Sequence, residues 1–409
     1  MPVSAVNWFA VVFKLPLLCW SIVLSVTGGS MYAQGHSSDT AMVAQKDLVD
    51  VLLKSFKLEQ KEKTRTDKKV NFSFIPVAGA SAPSGRVAVS SINAAFYLGD
   101  PATTNLSNIY LIPYTNFSTQ RGIIIRPTIW TTKNLWNFQG EVRKSNNGHN
   151  TWGLGTNSSG NIESILEVEQ FRFYGTAHRL LLRYFYAGFG YNLDYFYNMQ
   201  EIPQQEAETD LSNYGIGTQG TSVSSGLTVN LLRDSRKNSI NPIGGFYSAL
   251  AYKYFTPTLG STTSWSSFSV DLRKYVRLSQ QRHSLLAFWT MYWGTFGDVP
   301  YLNLPGTAQD LYGRSGRGYK YGRYRGKQML YAETEYRFDI SATGFWGGVV
   351  FINGQSYTEM ESEKFESIKP ATGFGLRVKF NKRSNANITL DFAFGKDSFN
   401  WYLNLGEFF

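Results

Sequence analysis

The sequence predicts an all-β protein: a transmembrane antiparallel β-barrel of about 16 strands with a short N-terminal periplasmic helix. Three observations lead to this fold class. The 409 residues combine 16% aromatic residues and 38 glycines with a mean hydropathy of only −0.24. Apolar and polar residues alternate over most of the chain. Short and long connections between the candidate strands follow one another. An apolar outer face and a wet interior would average to this hydropathy.

The alternation has a period of two, which is typical of strands with one apolar face. In residues 373–380 one face is apolar and the other small or basic. The apolar face carries Phe374, Leu376, Val378 and Phe380, and the opposite face carries Gly373, Gly375, Arg377 and Lys379. Residues 388–395 and 267–273 alternate in the same way. The pattern indicates strands between two different solvents.

The connections between candidate strands support a barrel. Counting from Val70 gives about sixteen strands of roughly ten residues each, an even number as single-chain barrels require. The long connections follow odd-numbered strands and include residues 145–159, 200–220, 297–326 and 357–369. The short ones follow even-numbered strands and include residues 99–102, 175–177, 278–281 and 381–384. Short turns would face the periplasm and long loops the exterior, although residues 234–244 form a longer turn than this pattern predicts.

Residues 1–33 are predicted to be a signal peptide. Lys14 precedes an apolar stretch, residues 15–26, and turn-forming residues lead to a cleavage site after Ala33. A single membrane anchor is the alternative interpretation of this stretch. Cys19, the one cysteine of the chain, lies within it, so the mature chain would have no thiol for a disulfide or a metal site.

Residues 34–69 are predicted to form a periplasmic helix and a basic linker, and residues 70–409 the barrel. Apolar residues recur at helical spacing from Leu48 to Phe56, with Asp47 as a candidate N-cap. The helix could pack on the periplasmic mouth of the barrel or lie on a membrane surface. We favour packing on the barrel mouth.

Basic side chains are concentrated in residues 313–327, which carry six basic residues and no acidic one. Basic residues between tyrosines can bind single-stranded nucleic acid, but this segment joins two strands of an exported chain, so no nucleic-acid partner is expected. We expect instead a long loop folded into a wet lumen. Glu333 and Glu335 would face it from the next strand. A confined arginine needs a partner, so we predict an Arg317–Glu335 ion pair.

Catalytic and metal-binding patterns are absent or incomplete. The histidines His36, His149, His178 and His283 are scattered without metal-ligand spacing. Residues 313–316 miss the GxSxG pattern by one position, and residues 153–155 lack the third glycine of a dinucleotide loop. We therefore expect no enzyme activity, no cofactor and no metal. A hydrolase hidden in the barrel remains an alternative.

The basic loop and the strand after it resemble the barrel of the bacterial surface antigen (BamA/TamA) superfamily, which inserts or translocates proteins at outer membranes. Arg317, Gly318 and Tyr319 are similar to the family's arginine–glycine–aromatic motif at the tip of the sixth extracellular loop, between strands eleven and twelve. Glu335 is similar to the lumenal glutamate that receives this arginine. The resemblance covers about residues 70–409.

Two further segments resemble the same family. Residues 233–236, with Pro242 and Gly245, are similar to its aspartate–proline–glycine turn. Residues 404–409 are similar to its closing strand and assembly signal. Three of them are the candidate signal residues: Asn404, Gly406 and Phe409.

The sequence departs from the family pattern in two ways. The family has an aspartate in the thirteenth strand as a second acceptor for the arginine, and the nearest candidate here is Asn353, a weak acceptor. Few residues precede Val70, so the sequence resembles the branch without POTRA domains, the modules that receive client polypeptides. Client capture by strand addition is therefore in question.

The resemblance implies a barrel of the bacterial cell outer membrane that assists insertion or transport of proteins or lipids. Its partners would be outer-membrane lipid and unfolded outer-membrane proteins. A weak seam could lie between residues 72–80 and residues 401–409, with Pro76 removing a ladder donor from the first strand. Pro76 could equally mark a strand end. The alternative function is a passive or gated solute channel, or a structural barrel.

Overall fold

A computed structural model describes residues 45–48, 50–51, 70–82, 85–115, 120–204, 209–236, 238–279, 284–382 and 385–409, without the side chains of residue 71 and residues 73–91. The predicted signal peptide lies outside these residues, as does nearly all of the predicted helix and linker. No helix in the described part of the chain is long and apolar enough to cross a membrane.

In the described residues, sixteen strands form one sheet. They are β1 (Val70–Ala82), β2 (Gly85–Phe96), β3 (Ser107–Thr115), β4 (Arg121–Trp130), β5 (Trp136–Thr151), β6 (Ser164–Leu182), β7 (Phe185–Pro203), β8 (Gly220–Asp234), β9 (Gly245–Phe255), β10 (Trp265–Ser279), β11 (Ser284–Gly297), β12 (Gln328–Asp339), β13 (Trp346–Tyr357), β14 (Lys369–Asn381), β15 (Ala386–Gly395) and β16 (Ser398–Leu405). Besides the first turn of a helix at residues 48, 50 and 51, the helical segments of the described residues are the short helix α1 (Asp210–Tyr214) and the 3-10 turns Thr132–Asn134, Pro257–Leu259 and Tyr301–Asn303.

Each strand pairs with the next in an antiparallel ladder, in chain order from β1 to β16. β1 and β16 also contact each other, although the described pairings include no ladder between them. The sheet therefore rolls into a barrel with a seam between its first and last strands. The predicted fold class and strand number are confirmed.

The two faces of the sheet differ as the alternation predicts. In β14 the apolar Phe374 and Leu376 are exposed on the outer face, whereas Arg377 and Lys379 are buried inside the barrel. A soluble protein would have the opposite arrangement, because burying unpaired charge is costly and exposing apolar side chains gains nothing. The outer face is therefore suited to lipid and the lumen to polar contacts.

The predicted turn at residues 175–177 is wrong. β6 continues through these residues to Leu182, and the chain reverses one residue later, with Tyr184 in a left-handed conformation (φ 65°). Gly190 of β7 approaches the backbone of β6 here, since a Cβ on Gly190 would lie only 2.1 Å from the Gly175 carbonyl oxygen. Glycine in this part of the sheet permits close backbone approach rather than a turn.

The predicted closing strand is wrong at its last residues. β16 ends at Leu405, and Gly406 has a φ of +90°, in the left-handed region that favours glycine. The chain turns inward there, so Phe408 and Phe409 are buried in the lumen rather than paired in the sheet. Pro76 lies in the middle of β1 opposite Ser90, so it does not mark a strand end.

Asp47 caps the first turn of a helix at the barrel end that carries the short turns. Its Oδ1 accepts a hydrogen bond from the Asp50 main-chain nitrogen (2.9 Å), and the Asp50 carboxylate accepts one from the Asp47 nitrogen (3.1 Å). Lys382, in the turn after β14, donates its main-chain N–H to Asp47 (3.0 Å) and pairs with Asp50 (2.7 Å). The start of the helix therefore lies on the barrel mouth, and the rest lies outside the described residues.

We predict that Phe374→Arg destabilises the barrel in a lipid bilayer by roughly 2–4 kcal/mol, because Phe374 lies midway along β14 on the outer face. Phe374→Leu is the control and should change stability much less. Urea titration of folding in phospholipid vesicles measures both. Equal stability of Phe374→Arg and the unsubstituted protein would mean that this face does not meet lipid.

Candidate functional site

The connection between β11 and β12, residues 298–327 and here called loop 6, folds into the lumen. Arg317, Tyr319 and Tyr324 in this loop are buried. Gly316 and Gly318 flank Arg317 with φ angles of +77° and +104°. A Cβ on Gly318 would lie 2.7 Å from the Ala371 Cβ, so this position favours glycine for both conformation and space.

The Arg317 guanidinium is the centre of a buried ion network. Its Nη1 pairs with Asp391 Oδ2 (2.9 Å), and its Nη2 pairs with both Glu333 and Glu335. All four side chains are fully buried. The predicted Arg317–Glu335 ion pair is therefore present, together with Glu333, which was expected on the same lumenal face, and Asp391, which the sequence analysis did not assign.

Strand register brings the three carboxylates together. Glu333 and Glu335 are two residues apart on β12 and therefore lie on the same, lumenal face. Asp391 faces the lumen from β15. Between them, Gly373 and Gly375 of β14 carry no side chain. A Cβ on Gly375 would overlap the Asp391 carboxylate, which therefore lies over this glycine. Gly375 thus makes the space that Asp391 needs to reach Arg317, and Gly373 makes room for the Phe351 ring.

Two more arginines share the carboxylates. Arg377 pairs with Asp391 and with Glu407 Oε2 (2.8 Å), and Arg337 pairs with Glu335 Oε2 (2.5 Å). Three guanidinium groups thus share four carboxylates: Glu333, Glu335, Asp391 and Glu407. Paired charges of this kind are tolerated in a closed space, whereas a single unpaired charge is not.

Aromatic rings enclose the central guanidinium. The Arg317 Cζ lies 3.6 Å from the ring centroid of Phe351 on β13 and 4.0 Å from that of Phe408. Contacts of this length give cation–π stabilisation, which is stronger where water is excluded. Phe351 comes from the barrel wall and Phe408 from the chain beyond β16, so Arg317 joins the two.

Asn353 does not accept a hydrogen bond from the Arg317 side chain, so the prediction of a weak second acceptor is wrong. Its Nδ2 donates to the Arg317 main-chain carbonyl oxygen (3.0 Å). The acceptor role belongs to Glu333 and Asp391. Asp391 could have been found in the sequence, because it is the acidic residue on the predicted lumenal face of residues 388–395.

The two residues after Arg317 fix loop 6 to the last strands. The Gly318 N–H donates to the Tyr402 hydroxyl on β16 (3.1 Å). The Tyr319 hydroxyl donates to the Pro370 carbonyl oxygen (2.7 Å) and accepts from the Lys396 N–H (3.1 Å). All three residues of the motif therefore contact the wall.

Residues 406–409, here called the tail, contact the same loop and wall. Arg314 Nη1 donates to the carbonyl oxygens of Glu407 (2.9 Å) and Phe408 (2.6 Å). Arg337 Nη2 donates to the Phe409 main-chain oxygen (2.9 Å). The remaining candidate, Asn404, is partly exposed on β16 opposite Thr389 and is outside the network. Of the predicted signal residues, Phe409 contacts the network through Arg337, Gly406 turns the chain inward, and Asn404 does neither.

Loop 6 also binds the loops at the long-loop end. The Gly155 N–H donates to the Arg325 carbonyl oxygen (2.7 Å). Glu359 Oε1 accepts from the main-chain nitrogens of Thr156 (3.0 Å) and Asn157 (3.1 Å), and partial burial raises the pKa of this carboxyl. The loops after β5, β11 and β13 therefore form one connected cover.

Comparison of the chain with known protein families identifies the family to which it belongs. The model of the Omp85 superfamily domain matches residues 117–409, most of the barrel. The chain belongs to the Omp85 superfamily. No curated protein matches it in sequence. The predicted BamA/TamA-type resemblance is confirmed at this level.

Solved structures share the fold of this Omp85 protein. BamA from Haemophilus ducreyi lacking POTRA domains 1–3 is 16% identical, with a TM-score of 0.54 over 83% of this chain and 70% of that chain. CdiB from Acinetobacter baumannii is 12% identical, with a TM-score of 0.53 over 83% of this chain and 60% of that chain. At these identities the similarity shows the fold alone.

We predict that Arg317→Met releases loop 6 from the lumen. Removing one partner of a buried ion network costs about 3–5 kcal/mol, because the carboxylates remain buried without a counter-charge. Proteinase K digestion of the purified protein should then cut loop 6 faster. Arg323→Met is the control, because Arg323 binds Ser158 and no carboxylate in the described part of the chain.

Two further measurements serve as controls for this prediction. Heat-modifiable migration on a gel shows whether each variant still forms a barrel. Arg317→Lys keeps the charge but loses the planar fork, so its digestion rate should be intermediate. Equal protection of Arg317→Met and Arg323→Met would contradict the role of the network.

Proposed function

We propose that this Omp85 barrel resides in the bacterial outer membrane and assists insertion or translocation of proteins there, without enzyme activity. The observation that carries the proposal is the Arg317 network, which ties a lumenal plug to the last strand of a barrel with an unpaired seam. Lipid and unfolded outer-membrane proteins would be its partners.

A filled lumen favours this function over a passive solute channel. Loop 6 bridges the lumen, since it pairs with β12 and β15 through Arg317 and accepts a hydrogen bond at the Leu311 carbonyl oxygen from Arg126 of β4 (2.7 Å). Loop 6 therefore occupies space through which a large solute would have to pass. A barrel that assists proteins at the seam between its first and last strands does not need an open path through its lumen.

Hydrogen bonds and ring contacts connect β16, at the seam, and the tail to loop 6 in the lumen. Tyr402 of β16 accepts a hydrogen bond from loop 6, and the tail beyond β16 lies between Arg314, Arg317 and Arg337. A displacement of loop 6 would break its contacts with Tyr402 and with the tail, whereas the tail's contacts with Arg337 of β12 and Arg377 of β14 would remain. An unpaired β16 edge is a template on which a client strand can add.

A folding assay tests the proposed activity. Vesicles containing the purified full chain should accelerate the folding of a urea-denatured, eight-stranded outer-membrane protein, relative to vesicles containing a porin. A cysteine pair joining β1 to β16 should abolish the acceleration when oxidised and restore it when reduced. An acceleration that is absent, or that the crosslink leaves unchanged, would contradict the proposal.

Planar-bilayer conductance separates the two candidate functions. The unsubstituted barrel should show little steady conductance, and Arg317→Met should open pores as the plug leaves the lumen. Arg323→Met should remain closed. Large, steady pores in the unsubstituted protein would favour the solute channel instead.

A further inference from the structure

Loop 6 leaves a cavity of about 500 Å³ in the lumen. The cavity lies against the inner wall formed mainly by β4 to β11 and is bounded on the other side by residues 308–313 of loop 6. The carboxylates that bind Arg317 come from β12 and β15 and do not line it. The cavity is therefore separate from the network already described.

Strand register makes this part of the wall recessed. Lys253 of β9 lies between Thr228 of β8 and Ser267 of β10, and the next inward-facing row contains Ala251 beside Ser269. These small neighbours leave room around the long lysine side chain. The result is a hollow with a cation at its centre.

The cavity wall is rich in cations, most of which are paired. The lining cations are Arg126, Arg143, Arg172, Lys253 and Arg273. The arginines pair with carboxylates at 2.6–2.8 Å: Arg126 and Arg143 with Glu141, Arg172 with Asp194, and Arg273 with Asp271. Lys253 differs, because it has no ion pair or hydrogen bond within the described part of the chain. Its Nζ lies 4.4 Å from the ring centroid of Tyr174.

Polar atoms without partners line the same cavity. They are Arg143 Nε, His178 Nδ1, Asn192 Oδ1 and Asn230 Nδ2. Asn192 and His178 are only 2% and 5% exposed. Buried polar atoms are normally hydrogen-bonded, so these groups indicate an occupant that both donates and accepts hydrogen bonds. Hydroxyl groups do both.

We propose that the cavity binds an anionic polyol, a sugar that carries a phosphate or a carboxylate. Lys253 binds the anionic group, and the amides of Asn192 and Asn230 bind hydroxyl groups. A cavity of this size with a few convergent polar groups is typical of small-molecule sites. The sugar is either a free solute or the headgroup of a glycolipid. This site does not depend on the proposed assembly function.

Isothermal titration calorimetry of the full chain in detergent micelles tests the site. Glucose 6-phosphate should bind saturably and more tightly than either glucose or inorganic phosphate. Lys253→Met should weaken this binding by about tenfold or more, as expected for a lost hydrogen bond to a charged group. Lys369→Met is the matched control, because Lys369 at the start of β14 does not line the cavity.

A second variant tests the hydroxyl contacts. Asn230→Leu should weaken glucose 6-phosphate binding and leave that of inorganic phosphate unchanged. Displacement of glucose 6-phosphate by a detergent-solubilised phosphorylated glycolipid would identify the lipid source, and failure to displace it would identify a free solute. Heat-modifiable migration confirms that each variant is folded.

Two results would overturn the proposal. The first is the absence of saturable heat with glucose 6-phosphate, which would mean that water alone fills the cavity. The second is equal binding by Lys253→Met and Lys369→Met.

Discussion

The lumen is organised around one constraint, the neutralisation of the buried Arg317 guanidinium. An arginine with no exposed surface must have its charge compensated within hydrogen-bond distance. Three carboxylates supply this compensation, and they come from strands that are not neighbours. The register of β12 to β15, the missing side chains at Gly373 and Gly375, and the inward turn at Gly406 all serve this arrangement. The position of loop 6 in the lumen is thus determined by the sheet as well as by the sequence of loop 6 itself.

The sequence predicts the sheet well because each strand meets two different solvents. Alternation in β14 and β15 indicates which residues face inward, and the loop alternation indicates sixteen strands and the position of loop 6. The Arg317–Glu335 pair follows from opposite charges in segments that are adjacent in sequence. These signals are local, which is why one sequence is enough to find them.

The errors arise where the signal is not local. Gly175 resembles a turn residue, but its neighbourhood is set by contact with Gly190 on the next strand. Asp391 is 74 residues from Arg317 in the chain, and only the complete register of β12 to β15 brings them together. The tail resembles the end of a strand, since Phe408 and Phe409 continue its apolar character. Their inward turn depends on partners in Arg314 and Arg337, which the alternation does not reveal.

The physical character of the plug suits reversible movement. Removing one partner from a buried ion network is costly, but the network as a whole contributes little net stability, because desolvation of the charges offsets their attraction. When loop 6 leaves as a unit, its arginines and the wall carboxylates can both regain water in a polar lumen. The contacts of the tail with Arg314 and Arg317 are lost in the same step, since Phe408 packs on Arg317 itself. Under the proposed function, one polar contact network would therefore keep the barrel closed at rest and still permit its last strand to be released.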